Sequence, residues 1–413
     1  MKIRNSFRVI FTLGLLSAIG PFSIDMYLPG FPDIAKSLHT TVGHIGLSLS
    51  SFFVGISVGQ LIYGPLLDRY GRKIPLYIGL AIYFLSSVWC VFVGDANTLI
   101  FARFVQALGS CAGMVAARAL VRDIFPVKEN AKVFSLLMLV VAVSPIVAPT
   151  VGGYISSWLG WHYIFVVLTI IAAITFLFSY TWLPQGMKPD KSISLKPAPI
   201  FRGFLNVSKV PVFYTYALSG AIASSGLYSY LAGSPHVFMG IYGVNEREYG
   251  RIFAFISLGL IGCSQLNTLL LRKYSSEKIT MVALACQVVT GVALLAGTWF
   301  NWLGLYSTIG IIWIFLGTQG FAFPNTSALA LSPFTRNAGS ASALMGAVQL
   351  GVGAFVTSLV GIMDNDTAIP MAFFMCACAV LSFVVLLIGR HFISKESDEH
   401  IRGMIHSGIG FKD

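Results

Sequence analysis

The sequence predicts an all-α integral membrane protein, with twelve transmembrane helices in two pseudo-symmetric six-helix bundles. Three observations predict it. Of the 413 residues, 56% are hydrophobic and only 10% are charged, against about 25% charged in a soluble domain. Apolar runs recur at the roughly 20 residues a helix needs to cross a bilayer, without the period-two alternation of a barrel strand. Six such runs precede a polar, basic stretch near the middle and six follow it, which is an internal duplication.

The first run covers residues 9–29 and follows Lys2, Arg4 and Arg8. It is too long for a signal peptide, holds Asp25 and two prolines, and lacks a small-residue cleavage site, so it reads as a retained helix. Helices two to six are expected at 41–64, 74–93, 98–120, 131–157 and 161–183, making 1–183 the N-terminal bundle. Residues 184–210 carry five bases and several prolines and read as a linker. Within it, 201–205 has the pattern of a short interfacial helix. The C-terminal bundle, 211–393, comprises runs at 211–233, 249–271, 279–300, 302–324, 338–363 and 368–393, and 394–413 reads as a polar tail.

An even number of spans puts both termini on one side. All but four of the 27 Lys and Arg (Lys36, Arg103, Arg247 and Arg251) fall on that side, as expected of cytoplasmic loops. The net charge of +11 is therefore topology, and no nucleic-acid partner is implied. The six cysteines lie inside apolar runs without metal-ligand or redox spacing, so they read as packing residues. No phosphate-cradling loop or nucleophile–base pair is present. That argues against an enzyme, an ATP-driven pump or a bound cofactor or metal, and leaves a proton gradient as the energy source.

One stretch organises the rest. Gly64, Asp68, Arg69, Gly71, Arg72 and Lys73 stand in the order Gly-x-x-x-Asp-Arg-x-Gly-Arg-Lys, where the second helix is expected to end at Gly64 and turn. The pattern resembles the signature loop between helices two and three of the major facilitator superfamily. Asp25-Met26-Tyr27-Leu28-Pro29 and Gly59-Gln60-Leu61-Ile62-Tyr63-Gly64-Pro65 narrow the resemblance to the bicyclomycin/chloramphenicol-resistance (Bcr/CflA-like) branch of drug:proton antiporters. Arg103-Phe104-Val105-Gln106-Ala107-Leu108-Gly109 is similar to the family's helix-four motif, with Ala107 for a glycine; the resemblance associates its arginine with proton transfer. Ser144 to Gly153, with Pro145, Pro149, Gly152 and Gly153, resembles the helix-five motif of antiporters, with Ala148 for a glycine. The resemblance implies that Asp68 makes inter-helix hydrogen bonds holding an outward-open state. Asp123, beyond helix four, is expected as a latch partner for Arg69 or Arg72. Leu269 to Lys273 is a degraded echo of the signature loop, with the acid missing.

Inside the apolar runs, away from their ends, the only charges are Asp25 and Arg103. Each costs a few kcal/mol at membrane depth and needs a partner, a wet cavity or a function. Their depths match, so an ion pair across the cavity is expected. Pro21 and Pro29 loosen the first helix around Asp25. Burial favours its neutral form and Arg103 its charged one, which suits a proton carrier. Some relatives carry a second acid further along helix one; here that position is about Ser17. Helical spacing puts Ser17, Pro21, Phe22 and Asp25 on one face and Arg103, Gln106, Ser110 and Met114 on another. Both are expected to line a cavity with Tyr228, Tyr230 and Gln349. With the two charges cancelling, neutral or weakly charged amphiphiles should be preferred. The function expected is proton-coupled multidrug efflux of small amphiphilic compounds by a monomer in a bacterial inner membrane, with both termini cytoplasmic. The alternatives are a dedicated exporter or importer of one metabolite (siderophore, small peptide or amino acid) and a membrane receptor that moves nothing.

Overall fold

Residues 3–192, 197–334, 338–363, 365 and 367–406 are described by a computed structural model. Lys2, Lys196, Arg336 and Lys412, counted above among the inner-side bases, lie outside the described residues, as does 407–413 of the tail. The first half contains α1 (Ile3–Asp25), the short α2 (Phe31–Ser37), α3 (Val42–Tyr70), α4 (Lys73–Val91), α5 (Ala96–Ile124), α6 (Val127–Leu159) and α7 (His162–Trp182). In the linker lies α8 (Pro197–Ser208). The second half contains α9 (Pro211–Pro235), α10 (Glu246–Leu270), α11 (Ser276–Trp299), α12 (Leu305–Leu331), α13 (Ala338–Ile362) and α14 (Ile369–His406).

Helices dominate because lipid offers no partner to a bare backbone amide, and caps appear where the chain meets water. Thr41 accepts from His44 N at 3.1 Å, Asp95 from Thr98 N at 2.9 Å and Asn245 from Glu248 N at 2.9 Å. All three lie at the end of the molecule away from the termini, called here the far end; the opposite one is the linker end.

Two expected boundaries are corrected. The second span does not end at Gly64; α3 continues through Gly64 and Pro65 to Tyr70, and the turn falls at Gly71, whose φ is +80°. Proline removes one backbone hydrogen bond without forcing termination, and Asp68 and Arg72 meet at helical i,i+4 spacing. The last helix runs on to His406 instead of ending near 393. Residues 394–402 contain no Pro or Gly to stop it.

Among the described residues eleven helices are long and apolar enough to cross a membrane. The expected seventh span, α9, has the length, at 25 residues or roughly 37 Å, but is rich in Ser, Gly and Tyr. Most of it is buried against α12, α13 and α14, so protein shields it from lipid.

The two bundles meet along two seams, α3 with α13 and α6 with α10. Ser50 Oγ donates to Thr357 Oγ1 at 2.8 Å and Ser57 Oγ to Ala347 O at 2.8 Å on the first seam. On the second, Thr150 Oγ1 donates to Gly250 O at 3.4 Å, Ser257 Oγ to Pro145 O at 3.5 Å, and Arg251 Nη2 to Tyr154 OH at 3.1 Å. At the far end one apolar core runs through both bundles, joining Met26 and Tyr27 to Tyr230, Phe238 and Tyr249. Toward the linker end the core divides into two, one per bundle. The molecule is thus closed at the far end.

Candidate functional site

Asp25 is the last residue of α1, one turn after Pro21. It is 5% exposed, and no hydrogen bond or ion pair to it is present among the described residues. Across the seam it lies within electrostatic range of Tyr230 and Tyr249 of the other bundle. Tyr249 shares a 2.8 Å hydrogen bond with Ser234, and the Tyr230 hydroxyl is buried beside the same serine.

The expected Asp25–Arg103 ion pair is not formed. Arg103 is fully buried in the N-terminal bundle, donating to Ser23 O at 2.7 Å and to Gln106 Oε1 at 2.5 Å. Its guanidinium stacks over Phe52 at 4.3 Å and Tyr27 at 4.7 Å. The reason lies in where α1 ends. A helix leaves its last four carbonyls without backbone donors, Ser23 O is one of them, and a cation at a helix C-terminus is favoured. Two residues further on, the Asp25 side chain leaves the helix about 200° away. A wider network locks the arginine: Gln106 Nε2 donates to Ser87 Oγ at 2.7 Å, and Tyr83 OH meets Ser23 Oγ at 2.7 Å.

The expected cavity faces are therefore divided. Pro21, Phe22, Met114, Tyr228 and Gln349 are partly exposed. Gln106, Ser110 and Tyr230 are fully or almost fully buried. Ser17 is 7% exposed and its hydroxyl donates to Leu13 O.

Spacing did not reveal a second buried network, in the C-terminal bundle. Gln287 Nε2 of α11 donates to Gln319 Oε1 of α12 at 3.3 Å. Gln319 Nε2 donates to Ser224 Oγ of α9 at 2.7 Å, and Gln349 Nε2 of α13 to the same oxygen at 3.2 Å. Tyr228 lies within hydrogen-bonding reach of Gln349 and packs its ring, tilted by 48°, on Phe53 of the other bundle at 4.7 Å. The clue was available: a glutamine inside an apolar run needs a partner.

At the linker end Arg72, rather than Arg69, meets Asp123. Arg72 Nε donates to Asp123 Oδ2 at 2.7 Å and Nη1 to Asp68 at 2.5 Å. Arg69 stacks on Tyr70 at 5.9 Å, and Lys73 opens α4. Met187 N of the linker donates to Asp123 Oδ2 at 2.9 Å, and Asp190 N to Asp68 O at 3.2 Å. These contacts tie the linker to the N-terminal bundle. Hydrogen bonds from Ser192 hold the Asp190 carboxyl below the usual carboxylate range.

Pro145, Pro149 and Gly153 lie on the α6 side of the second seam, and Gly152 meets the end of α1. Pro149 has no N–H, which frees the Pro145 carbonyl, and Ser257 of α10 occupies it. A Cβ at Gly152 would collide with the Met26 carbonyl, and one at Gly153 with that of Glu246. Gly153 is therefore needed for the approach of α10, and Gly152 for the packing of α6 on the end of α1 within its own bundle.

Comparison with known proteins agrees with this architecture. "Uncharacterized MFS-type transporter YdgK" of Bacillus subtilis is 36% identical over 374 residues, covering 90% of this chain and 92% of the relative. The "Bicyclomycin resistance protein homolog" of Haemophilus influenzae is 34% identical over 379 residues, covering 92% and 95%. A solved bacterial homolog of the human lysosomal transporter Spinster, inward-facing and unoccupied, superimposes with a TM-score of 0.71 at 17% identity, over 95% of this chain and 96% of that one. The Major Facilitator Superfamily model matches residues 13–358. With that match and the twin-bundle seams, the chain is a multi-pass membrane transporter belonging to the major facilitator superfamily.

Proposed function

We propose that the protein is a proton-coupled antiporter that exports small amphiphilic compounds by alternating access. It would act as a monomer in a bacterial inner membrane, with the basic linker end in the cytoplasm and neither enzymatic activity nor a cofactor. One observation carries the coupling: Asp25 is a carboxyl with no partner, enclosed where the bundles close over it. A buried, unpaired carboxylate is costly, so closure of the far end favours the neutral acid. Opening would part Tyr230 and Tyr249 from Asp25 and admit a proton from outside. The proton would leave toward the linker end, where the bundles have separate cores. The names of the relatives support drugs as cargo.

With Arg103 withdrawn from the cavity, the argument for mutually cancelling charges no longer holds. Neutral and singly cationic amphiphiles both fit a site whose charge is that of Asp25 alone. One proton crossing ~100 mV releases about 2.3 kcal/mol, enough for roughly a fifty-fold gradient of a neutral compound. The test is export from proteoliposomes under an imposed pH gradient, across a compound panel. Wild-type protein should concentrate substrate uphill, and Asp25→Asn should bind it but only equilibrate it. Uphill transport by Asp25→Asn would move the coupling elsewhere.

A further inference from the structure

The linker helix α8 keeps only part of its surface against the protein. Val207 is 1% exposed, inside the apolar core of the C-terminal bundle, and Phe204 is half-buried. Through this face α8 packs against α9 and α13. On another side Phe201 is 64% and Leu205 40% exposed, one turn apart. Lys209 N donates to Leu205 O at 3.2 Å, so the helical ladder continues past Ser208. Arg202 and Lys209 therefore stand two turns apart, roughly 10 Å. Both are exposed, and neither has an ion-pair partner among the described residues.

At about 100° per residue these faces follow one another around the axis. Phe204 and Val207 form the docked face, Phe201 and Leu205 come next, and Arg202 and Lys209 lie beyond them. The middle face is apolar yet turned away from the bundle. Because α8 joins the ends of α7 and α9 at the linker end, it lies where hydrocarbon gives way to headgroups. An apolar face flanked by a basic one suits that boundary. From Lys191 to Asn245 the chain carries four bases and no Asp or Glu, so no acid of this segment neutralises the pair.

We propose that α8 is a docking surface for anionic phospholipid, with Phe201 and Leu205 inserted at the acyl boundary and Arg202 and Lys209 each meeting a headgroup phosphate. Charge selects the occupant. A second copy of the chain would set two identical basic faces against each other, which is unfavourable. The inference rests on a bilayer lying at the linker end and is independent of what is exported. The lipid is carried by one bundle alone: α8 packs on the C-terminal bundle, whereas Met187 and Asp190 just before it are bonded to the N-terminal one.

The experiment places a photoreactive benzoylphenylalanine at Phe201 of the full-length protein. The protein is reconstituted in vesicles holding equal amounts of phosphatidylglycerol and phosphatidylcholine with matched acyl chains. Illumination should give lipid adducts, and mass spectrometry reads which lipid was captured. Each base near an anionic surface favours it about fivefold, so phosphatidylglycerol adducts should exceed phosphatidylcholine adducts by at least about fivefold. The double variant Arg202→Gln/Lys209→Gln, altered only at exposed positions, should bring the two to parity. Lys191→Gln, in the linker but outside α8, should leave the excess within about twofold. Adducts to protein in place of lipid overturn the docking surface. Parity in the wild-type background overturns headgroup recognition. An excess that survives the double variant, or falls equally with Lys191→Gln, assigns it to the general charge of the linker and overturns the assignment to α8.

Discussion

At the scale of single residues, Arg103 and Asp25 separate into two tasks. Arg103 satisfies the end of α1 and holds Gln106, Ser23 and two aromatic rings together. Hydrogen bonds to a charged group contribute about 1.5–3 kcal/mol each. Arg103→Met and Gln106→Leu should therefore both lower the melting temperature of the solubilised protein markedly. Asp25→Asn should leave it nearly unchanged, since Asp25 has no ion pair to lose. Equal destabilisation by Asp25→Asn and Arg103→Met would revive the ion-pair view. Both residues were legible in the sequence as isolated charges in apolar runs. Their separation was not, because the acceptor that claims Arg103 is a backbone carbonyl. It is orphaned only because α1 ends at Asp25, and no side-chain pattern announces that.

Among elements, the seam between α6 and α10 brings the backbones of the two bundles into direct contact. Gly153 lies directly on the Glu246 carbonyl and Gly250 on the Pro149 carbonyl. Overpacking such a site costs about 1–3 kcal/mol, which shifts a two-state equilibrium about 5- to 150-fold. Gly153→Ala should move the protein toward states open at the far end, read as longer spin-label distances between Asn97 and Trp302. Gly64→Ala should leave those distances alone, since nothing lies within 4 Å of a Cβ there. An unchanged distance in Gly153→Ala would show that the seam does not control closure. The contrast shows how far motif reading reaches. Both glycines belong to recognised patterns, yet only packing tells which one touches another backbone. The helical runs themselves were readable because lipid dictates their length. Their ends at Tyr70 and His406 were less so, because Gly64 and a polar composition do not suffice to stop a helix.

For the whole molecule, the duplication visible in the sequence reappears as two glutamine-centred networks. Gln106 ties α5 to α4 in one bundle, and Gln319 ties α12 to α11 and α9 in the other. The halves differ in charge: a guanidinium anchors the first network, and only amides and hydroxyls build the second. Apolar run lengths disclosed the repeat, and the two intramembrane charges disclosed its asymmetry. The amide network escaped because glutamine partners are set by how helices rotate against one another, which period and composition leave free.

The polarity of α9 bears on how the chain is made. A helix rich in Ser, Gly and Tyr is weakly recognised by the insertion machinery, which reads hydrophobicity one segment at a time. It would wait at the membrane surface until α10 emerged, and the pair would enter as a hairpin. If it failed to enter, every later span would be inverted. The bases of the linker guard against that by holding its near side in the cytoplasm. A topology reporter fused after Tyr242 should stay cytoplasmic in a chain truncated before α10. The same reporter, inserted at that position in a chain continuing through Leu271, should appear on the outer side. Full translocation without α10 would mean that α9 inserts unaided.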